Sequence, residues 1–336
     1  MFLSGKLLVW CWLAVVVGIV WLGIPAAQAQ GDSSDVHIQP RVPRSLVSST
    51  ADRELNTHTQ AIRKNVELVL VPVTITDPMD RVVVGLGPNN FQVFEGKQPQ
   101  EIKHFSSEDA PVSLGIILDV SGSMASKIER AREAVVDLLK ASNPQDEFFL
   151  ITFSDAPQLV QDFTQKIEEA QAKLLFATPK GQTALLDAIY LGIDKMKEAK
   201  YSRKALLVIS DGGDNHSLYT ENEVKSVVKE ADVLLYSVGI FDHEFRTLEE
   251  RLGPLLLSEI SDVTGGRCYT VDNPNDLPLI TERVGAELRN QYVLGYRPTA
   301  NDDGKWRKIK VNLTYLPKGL PPLRVRAKSG YYAPSR

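Results

Sequence analysis

The fold is decided by one short stretch of the chain, VSLGIILDVSGS, which occupies residues 112–123. Its first seven residues are almost all apolar, which is typical of a strand that is buried on both faces of a sheet. The apolar run ends at Asp119, and Ser121 and Ser123 follow just before a segment with helical spacing. A strand that leads directly into a helix places such polar residues at the carboxyl edge of an α/β sheet, where ligands bind.

The same alternation of strand and helix patterns continues for most of the chain after this stretch. Further strands are predicted at 148–153, 205–209, 233–238 and 268–271. Helices are predicted at 127–141, 167–176, 185–196, 221–230, 248–263 and 277–289. The pattern allows a break at Gly253-Pro254 in the fifth helix. This order predicts an α/β fold with a doubly wound, mostly parallel sheet that is covered by helices on both faces.

Patterns of antiparallel strands flank the α/β region on both sides. Strands are predicted at 66–75, 82–84, 91–94 and 102–105 before it, with the last two as a hairpin. Strands are predicted after it at 292–296, 308–313 and 323–328. Because each flank has too few strands to be stable alone, we predict that residues 63–109 and 291–336 form one small antiparallel β-sandwich around an inserted domain at 110–290. Two separate β appendages are the alternative.

The first 62 residues are predicted to precede the folded part. Lys6 is followed by an apolar run at 7–24, and Ala27-Gln28-Ala29 has the small-residue pattern of a signal peptidase site. We therefore predict a signal peptide at 1–29 and a flexible spacer at 30–62, which make the protein periplasmic or extracellular. An uncleaved N-terminal membrane anchor is the alternative, because the run just reaches the length that crosses a bilayer about 30 Å thick.

The composition of the 336 residues is that of a globular protein, with 43% hydrophobic and 24% charged residues. The net charge of -4 gives no reason to expect nucleic acid as a partner. Cys268 is alone once Cys11 is assigned to the leader, so an internal disulfide and a thiolate zinc site are excluded. The chain also lacks the motifs GxxxxGK[ST], GxSxG and HExxH, so we do not expect an enzyme.

Three separate segments bring oxygen-bearing side chains to the same predicted edge of the sheet. Asp119, Ser121 and Ser123 follow the first strand, Thr183 precedes a helix, and Asp211 follows another apolar strand. Carboxylate and hydroxyl oxygens suit a hard cation such as Mg²⁺, with Mn²⁺ or Ca²⁺ as alternatives. The D-x-S-x-S pattern is weak by itself, because the same residue types also form turns and helix caps.

Taken together, these segments resemble a von Willebrand factor type A domain with a metal-ion-dependent adhesion site. The resemblance covers roughly residues 112–290, and it implies a Rossmann-like fold. It also implies that the two serine hydroxyls bind the metal directly, that the threonine and third-loop aspartate bind it directly or through water, and that a Glu or Asp of a partner protein completes the site. Ser126 and Lys127 stand where integrin β-type domains carry an acidic pair, so no adjacent calcium site is expected.

The flanking segments resemble those of a bacterial family of secreted type A-related proteins that is abundant in acidobacteria. The matching residues are GLGPNNFQVFE at 85–95, YVLGY at 292–296 and GYY at 330–332. This resemblance extends over nearly the whole mature chain but implies little about function.

The function predicted from the sequence is that of an exported, metal-dependent protein-binding or adhesion module. A structural envelope protein with a vestigial or merely stabilising metal site is one alternative, and a metal-dependent hydrolase is a weaker one. The loop residues predicted to contact the partner around the metal are Asp214, His216 and Asp242. The basic residues that could contact anionic envelope polymers or lipids are Lys308, Lys310, Arg324, Arg326 and Lys328.

A mechanical connection is also predicted. The last helix, at 277–289, runs almost directly into the strand at 292–296. Occupation of the metal site would then be transmitted to the sandwich if this helix moves.

Overall fold

The computed structural model describes residues 68–211, 213–241, 248–299, 303–316 and 319–335. The predicted signal peptide and spacer lie outside these residues, and so does Asp242 of the predicted rim. Among the described residues, no helix is both long and apolar enough to cross a membrane.

Fourteen strands and six helices follow one another along the described chain. The strands are β1 (Val69–Thr76), β2 (Phe91–Glu95), β3 (Gln98–Gln100), β4 (Ile102–Ser106), β5 (Val112–Asp119), β6 (Glu147–Phe153), β7 (Pro157–Thr164), β8 (Arg203–Ser210), β9 (Leu234–Ile240), β10 (Cys268–Val271), β11 (Tyr292–Tyr296), β12 (Trp306–Leu313), β13 (Arg324–Ala327) and β14 (Gly330–Tyr332). The helices are α1 (Ile128–Lys140), α2 (Ile167–Leu175), α3 (Leu185–Lys195), α4 (Glu221–Glu230), α5 (Leu248–Thr264) and α6 (Leu277–Arg289).

The centre of the molecule is a six-stranded sheet with the order β10-β9-β8-β5-β6-β7. All neighbours are parallel except the edge strand β7, which runs antiparallel to β6. Every residue of β5 is buried, because α1, α2 and α6 pack on one face of the sheet and α3, α4 and α5 pack on the other. The α/β fold class predicted from the apolar runs is therefore confirmed.

Strands from both flanks of the α/β region build a small antiparallel β-sandwich. One sheet has the order β13-β1-β11-β4 and the other has the order β14-β12-β2-β3, so each sheet combines strands from before and after the α/β region. The apolar inner faces meet in one core, to which Val73, Val93, Tyr296 and Val311 contribute. Neither flank could bury these faces without the other, because two or three strands without a partner sheet are only marginally stable in water.

Some local predictions about the first flank are wrong. The predicted hairpin between 91–94 and 102–105 does not form, because β2 pairs with β3, and β4 crosses to the other sheet and pairs with β11. The reason is the tight turn at Gly96, whose φ of +59° reverses the chain directly after β2. The predicted strand at 82–84 is reduced to a single bridge between Val82 and Thr76.

Two further differences concern the α/β region. The edge strand β7 was not predicted, because its half-exposed, largely polar residues show no clear apolar pattern. The helix α5 continues through Pro254 and does not end at the Gly-Pro pair.

Charged residues join the sandwich to the α/β domain. Arg267, just before β10, donates to Asp80 of the sandwich at 2.7 Å. Two of the basic residues predicted to face anionic surfaces are also paired across this junction, Arg326 with Asp262 at 3.4 Å and Lys328 with Asp232 at 2.7 Å.

A third predicted basic residue is also engaged, since Arg324 pairs with Asp80 at 3.1 Å within the sandwich. These pairs account for three of the five basic residues, so a contact with anionic surfaces remains a prediction for the exposed Lys308 and Lys310.

Candidate functional site

The first loop begins where β5 ends, at Asp119. This side chain is fully buried, and both of its carboxylate oxygens accept hydrogen bonds. Oδ1 accepts from the backbone N–H of Ser121 at 2.8 Å, and Oδ2 accepts from the hydroxyl of Ser210 at 2.6 Å. The hydroxyl oxygens of Ser121 and Ser123 lie 3.0 Å apart. Ser121 is buried and Ser123 is exposed, so one hydroxyl of the loop faces the interior and the other faces the solvent.

The second loop is hydrogen-bonded to the first. Gly181 accepts a hydrogen bond from the backbone of Gly122 at 3.1 Å, and the backbone N–H of Lys180 donates to Val120 at 2.9 Å. Gly181 has a φ of +82°, and a Cβ atom there would lie 2.7 Å from both carboxylate oxygens of Asp155. Only glycine fits this position, and its backbone carries the chain to the buried Thr183.

The third loop follows β8 and is hydrogen-bonded to the second. The backbone N–H of Thr183 donates to Oδ1 of Asn215 at 2.9 Å, and its carbonyl accepts from the backbone N–H of Asn215 at 3.0 Å and of His216 at 3.2 Å. Asp211, the first residue after β8, is 3% exposed. The three loops that carry the predicted metal ligands are therefore joined to one another at the carboxyl edge of the sheet.

The site concentrates negative charge in the interior. Burial, and next the charge of Asp211, raise the pKa of Asp119 to about 7, although hydrogen bonds from Ser121 and Ser210 oppose this shift. The ammonium of Lys127 lies 3.4 Å from Oδ2 of Asp211, and its side chain is only 13% exposed. No sequence pattern predicts a role for Lys127 in this site, since its contact with Asp211 spans 84 positions of the chain.

The donor atoms fit a hard divalent cation that relies on hydroxyls as well as carboxylates. Within the described part of the chain, no group of three or more His, Cys, Asp and Glu side chains gathers as a metal cluster. The site combines two buried carboxylates, of which Asp211 disfavours the charge of Asp119, with two hydroxyl oxygens 3.0 Å apart, and carboxylate and hydroxyl oxygens are donors that Mg²⁺ prefers. A cation between them would relieve their repulsion.

The predicted rim residues have different environments. Asp214 is turned toward the protein, because its Oδ1 accepts from the backbone of Leu185 at 2.9 Å and from the hydroxyl of Ser217 at 2.6 Å, and so it caps α3. Burial raises the pKa of this carboxyl. His216 is exposed, and its contact with a partner stays a prediction. Leu218, on the same loop, is 90% exposed.

The sequence of the central region matches a known family model. Residues 114–213, which include the first two loops and the start of the third, match the model described as von Willebrand factor type A domain. The chain contains a von Willebrand factor type A domain. The match begins inside β5 and ends just after Asp211, so it spans every predicted metal ligand.

Curated relatives match a little under half of the chain. The mouse (Mus musculus) protein "Inter alpha-trypsin inhibitor, heavy chain 4" is 29% identical over 44% of this chain and 18% of its own length. The chain thus spans about a fifth of the length of this curated relative.

Solved structures with a similar fold include "von Willebrand factor type A from Catenulispora acidiphila". It is 12% identical, with a TM-score of 0.47, over 81% of this chain and 74% of that chain. An aerotolerance-related membrane protein from Bacteroides fragilis is 22% identical, with a TM-score of 0.44, over 53% of this chain and 98% of that chain.

Proposed function

We propose that this protein is an exported, divalent-metal-dependent protein-binding module that engages a Glu or Asp side chain of its partner. The observation that carries the proposal is the convergence of two buried carboxylates and the neighbouring hydroxyls on three hydrogen-bonded loops. Mg²⁺ is the proposed cation, with Mn²⁺ or Ca²⁺ as alternatives.

Each residue of the site has a distinct part in this proposal. Ser121, Ser123, Thr183 and Asp211 would hold the cation, and Asp119 would support it with a carboxylate that Ser121 and Ser210 already orient. When bound, the cation would supply positive charge and would have a coordination position that the protein oxygens do not fill, where it accepts one more carboxylate. Because Ser123 is the exposed member of the set, the partner would approach from its side.

The type A relative supports binding over catalysis. Its name, "Inter alpha-trypsin inhibitor, heavy chain 4", is that of an inhibitor chain and not that of an enzyme. The proposal of export rests on the predicted signal peptide and on the resemblance that the flank sequences suggest to secreted type A-related proteins of acidobacteria. The alternative is a metal site that only stabilises the fold. An experiment must distinguish it from a partner-binding site, because a protein with either kind of site would bind the metal.

Ser123→Ala should abolish metal-dependent capture of the partner. The immobilised mature protein is incubated with an envelope extract of its source organism in MgCl₂ or in EDTA, and the captured proteins are compared. Wild-type protein should retain partners in MgCl₂ alone, and the variant should retain none. The substitution removes one exposed hydroxyl, so the melting temperature without metal should change little.

Ser126→Ala is the matched control, since Ser126 is an exposed serine three residues further along the chain. It should capture partners as the wild-type protein does. Equal capture by the two variants would refute a role of Ser123. A protein that Mg²⁺ stabilises but that captures nothing in MgCl₂ would favour the structural alternative.

Lys127→Met should tighten the binding of Mg²⁺ roughly fivefold, because it removes a positive charge that competes for Oδ2 of Asp211. Two like unit charges about 4 Å apart repel each other by about 1 kcal/mol in bulk water, and this free energy corresponds to roughly a fivefold change in affinity. Isothermal titration calorimetry with MgCl₂ measures the change. Lys140→Met, which removes an exposed charge at the end of α1, should leave the affinity unchanged. Unchanged or weaker binding by Lys127→Met would contradict the competition.

A further inference from the structure

We infer that a groove beside the metal site recognises a partner segment in which the metal-binding acid is flanked by an apolar residue and by further acidic residues. This inference rests on the proposed function and specifies the chemistry of the partner. It concerns the surface between the first loop, the edge strand β7 and the end of α2.

The groove starts next to the candidate metal ligands. Its floor includes Val120, which lies between Asp119 and Ser121 in the chain. The backbone of Val120 donates to Phe153 of β6 at 2.8 Å and accepts from Lys180 at 2.9 Å, so it joins the two walls. An extended chain advances about 3.3 Å per residue, so the residues one or two positions from the metal-bound acid would enter the groove.

The size and lining of the groove suit a short peptide segment. It encloses about 530 Å³, within the range of roughly 300–1,000 Å³ that is common for ligand clefts. The side chain of Phe176 is 82% exposed at the end of α2, and the half-buried Val160 lies on β7. An apolar side chain of the partner would cover Phe176 and remove it from water, which stabilises a complex.

The charge of the groove points to an acidic partner. Lys173 and Lys180 line it, and no Asp or Glu is among its lining residues. In the described part of the protein, neither lysine makes an ion pair. Asp155 lies between two lining residues, but its Oδ1 already accepts a hydrogen bond from the backbone of Gln182 at 2.7 Å. Two unpaired cations beside a site for a carboxylate are complementary to a segment with several acids.

The opposite side of the metal site has the opposite charge. There the carboxylates of Asp187 and Asp214 accept hydrogen bonds from the backbone of the third loop and of α3. An acidic segment would be repelled on that side and attracted by Lys173 and Lys180. The asymmetry therefore directs the partner chain toward α2.

The test uses synthetic peptides with blocked ends and compares their affinities in MgCl₂ and in EDTA by fluorescence anisotropy. The acidic probe is Asp-Leu-Glu-Leu-Asp, which reads the same in both chain directions. Lys-Leu-Glu-Leu-Lys changes the flanking charges, and Asp-Ser-Glu-Ser-Asp changes the apolar residues. The proteins are wild type, Lys173→Glu/Lys180→Glu, Phe176→Ser, and the control Lys140→Glu/Lys229→Glu with the same change in net charge.

Wild-type protein should bind the acidic probe at least tenfold more tightly than the lysine probe, in MgCl₂ only. The double variant of the groove should lose or reverse this preference, while the control should keep it. Phe176→Ser should lose the preference for leucine over serine. For each protein, the affinity for the acidic probe is divided by the affinity for the lysine probe. Comparing this quotient between variant and wild type cancels the effect of the larger number of carboxylates in the acidic probe.

If all four proteins bind the peptides in a metal-dependent way and with the same preference among the probes, the groove does not recognise the partner segment. That result would not contradict the proposed function. If no peptide binds in a metal-dependent way, both are wrong. Calorimetry with MgCl₂ alone should show that the groove variant still binds the metal at least as tightly as the control, because neither lysine belongs to the metal site.

Discussion

Asp211→Ala should abolish the rise in melting temperature that MgCl₂ produces in the wild-type protein. A ligand that binds only the native state at 100 times its Kd stabilises that state by about 2.7 kcal/mol. For a domain of roughly 150–250 residues this corresponds to about 5–10 °C. The variant leaves Asp119 as the one carboxylate of the ligand set, and both oxygens of Asp119 already accept hydrogen bonds.

Without metal, the same substitution should have a small effect on stability. It removes the contact with Lys127, but it also removes the charge that disfavours ionisation of Asp119. Asp194→Ala, which removes an exposed acid of α3, is the matched control and should keep the full response to MgCl₂. An equal rise for Asp211→Ala and the control, measured at constant ionic strength, would exclude Asp211 as a ligand.

Arg267→Met should lower the free energy of unfolding by about 3 kcal/mol, because it leaves the buried Glu287 without a cation and leaves the partly buried Asp80 with Arg324 alone. Arg267 lies 2.7 Å from Asp80 and 3.7 Å from Glu287, whose side chain is 1% exposed. Its guanidinium also packs over the ring of Tyr269, with 4.4 Å to the centroid. Because 14% of the Arg267 side chain is exposed, we expect the lower end of the range for broken buried pairs. Chemical denaturation measures the change.

Two further variants separate the charge effect from lost packing. Adding Glu287→Gln to Arg267→Met should recover part of the loss, since the amide is neutral and its oxygen can still accept from the hydroxyl of Tyr269. Arg130→Met breaks an exposed pair with Glu133 and should change stability by less than about 0.5 kcal/mol. If Arg267→Met were as mild as Arg130→Met, the junction would not depend on this network.

The sequence by itself determined the fold class and the location of the candidate site. Short apolar runs specify strands buried on both faces, and parallel strands place their carboxyl ends at one edge whatever the side-chain packing. Asp119, which ends β5, and Asp211, which follows β8, could therefore be assigned to one edge without coordinates. The need of each flank for the other also follows from strand number alone.

Only the tertiary structure decided how charged and polar side chains pair. Lys127 reaches Asp211 over 84 positions, and Arg267 reaches Asp80 over 187 positions, so no local pattern could reveal either contact. Asp214 was predicted to be a free acid of the loop, but it caps α3. The tight turn at Gly96 pairs β3 with β2, so β4 pairs within the other sheet. Backbone periodicity is set locally, whereas these contacts depend on which distant segments the buried core brings together.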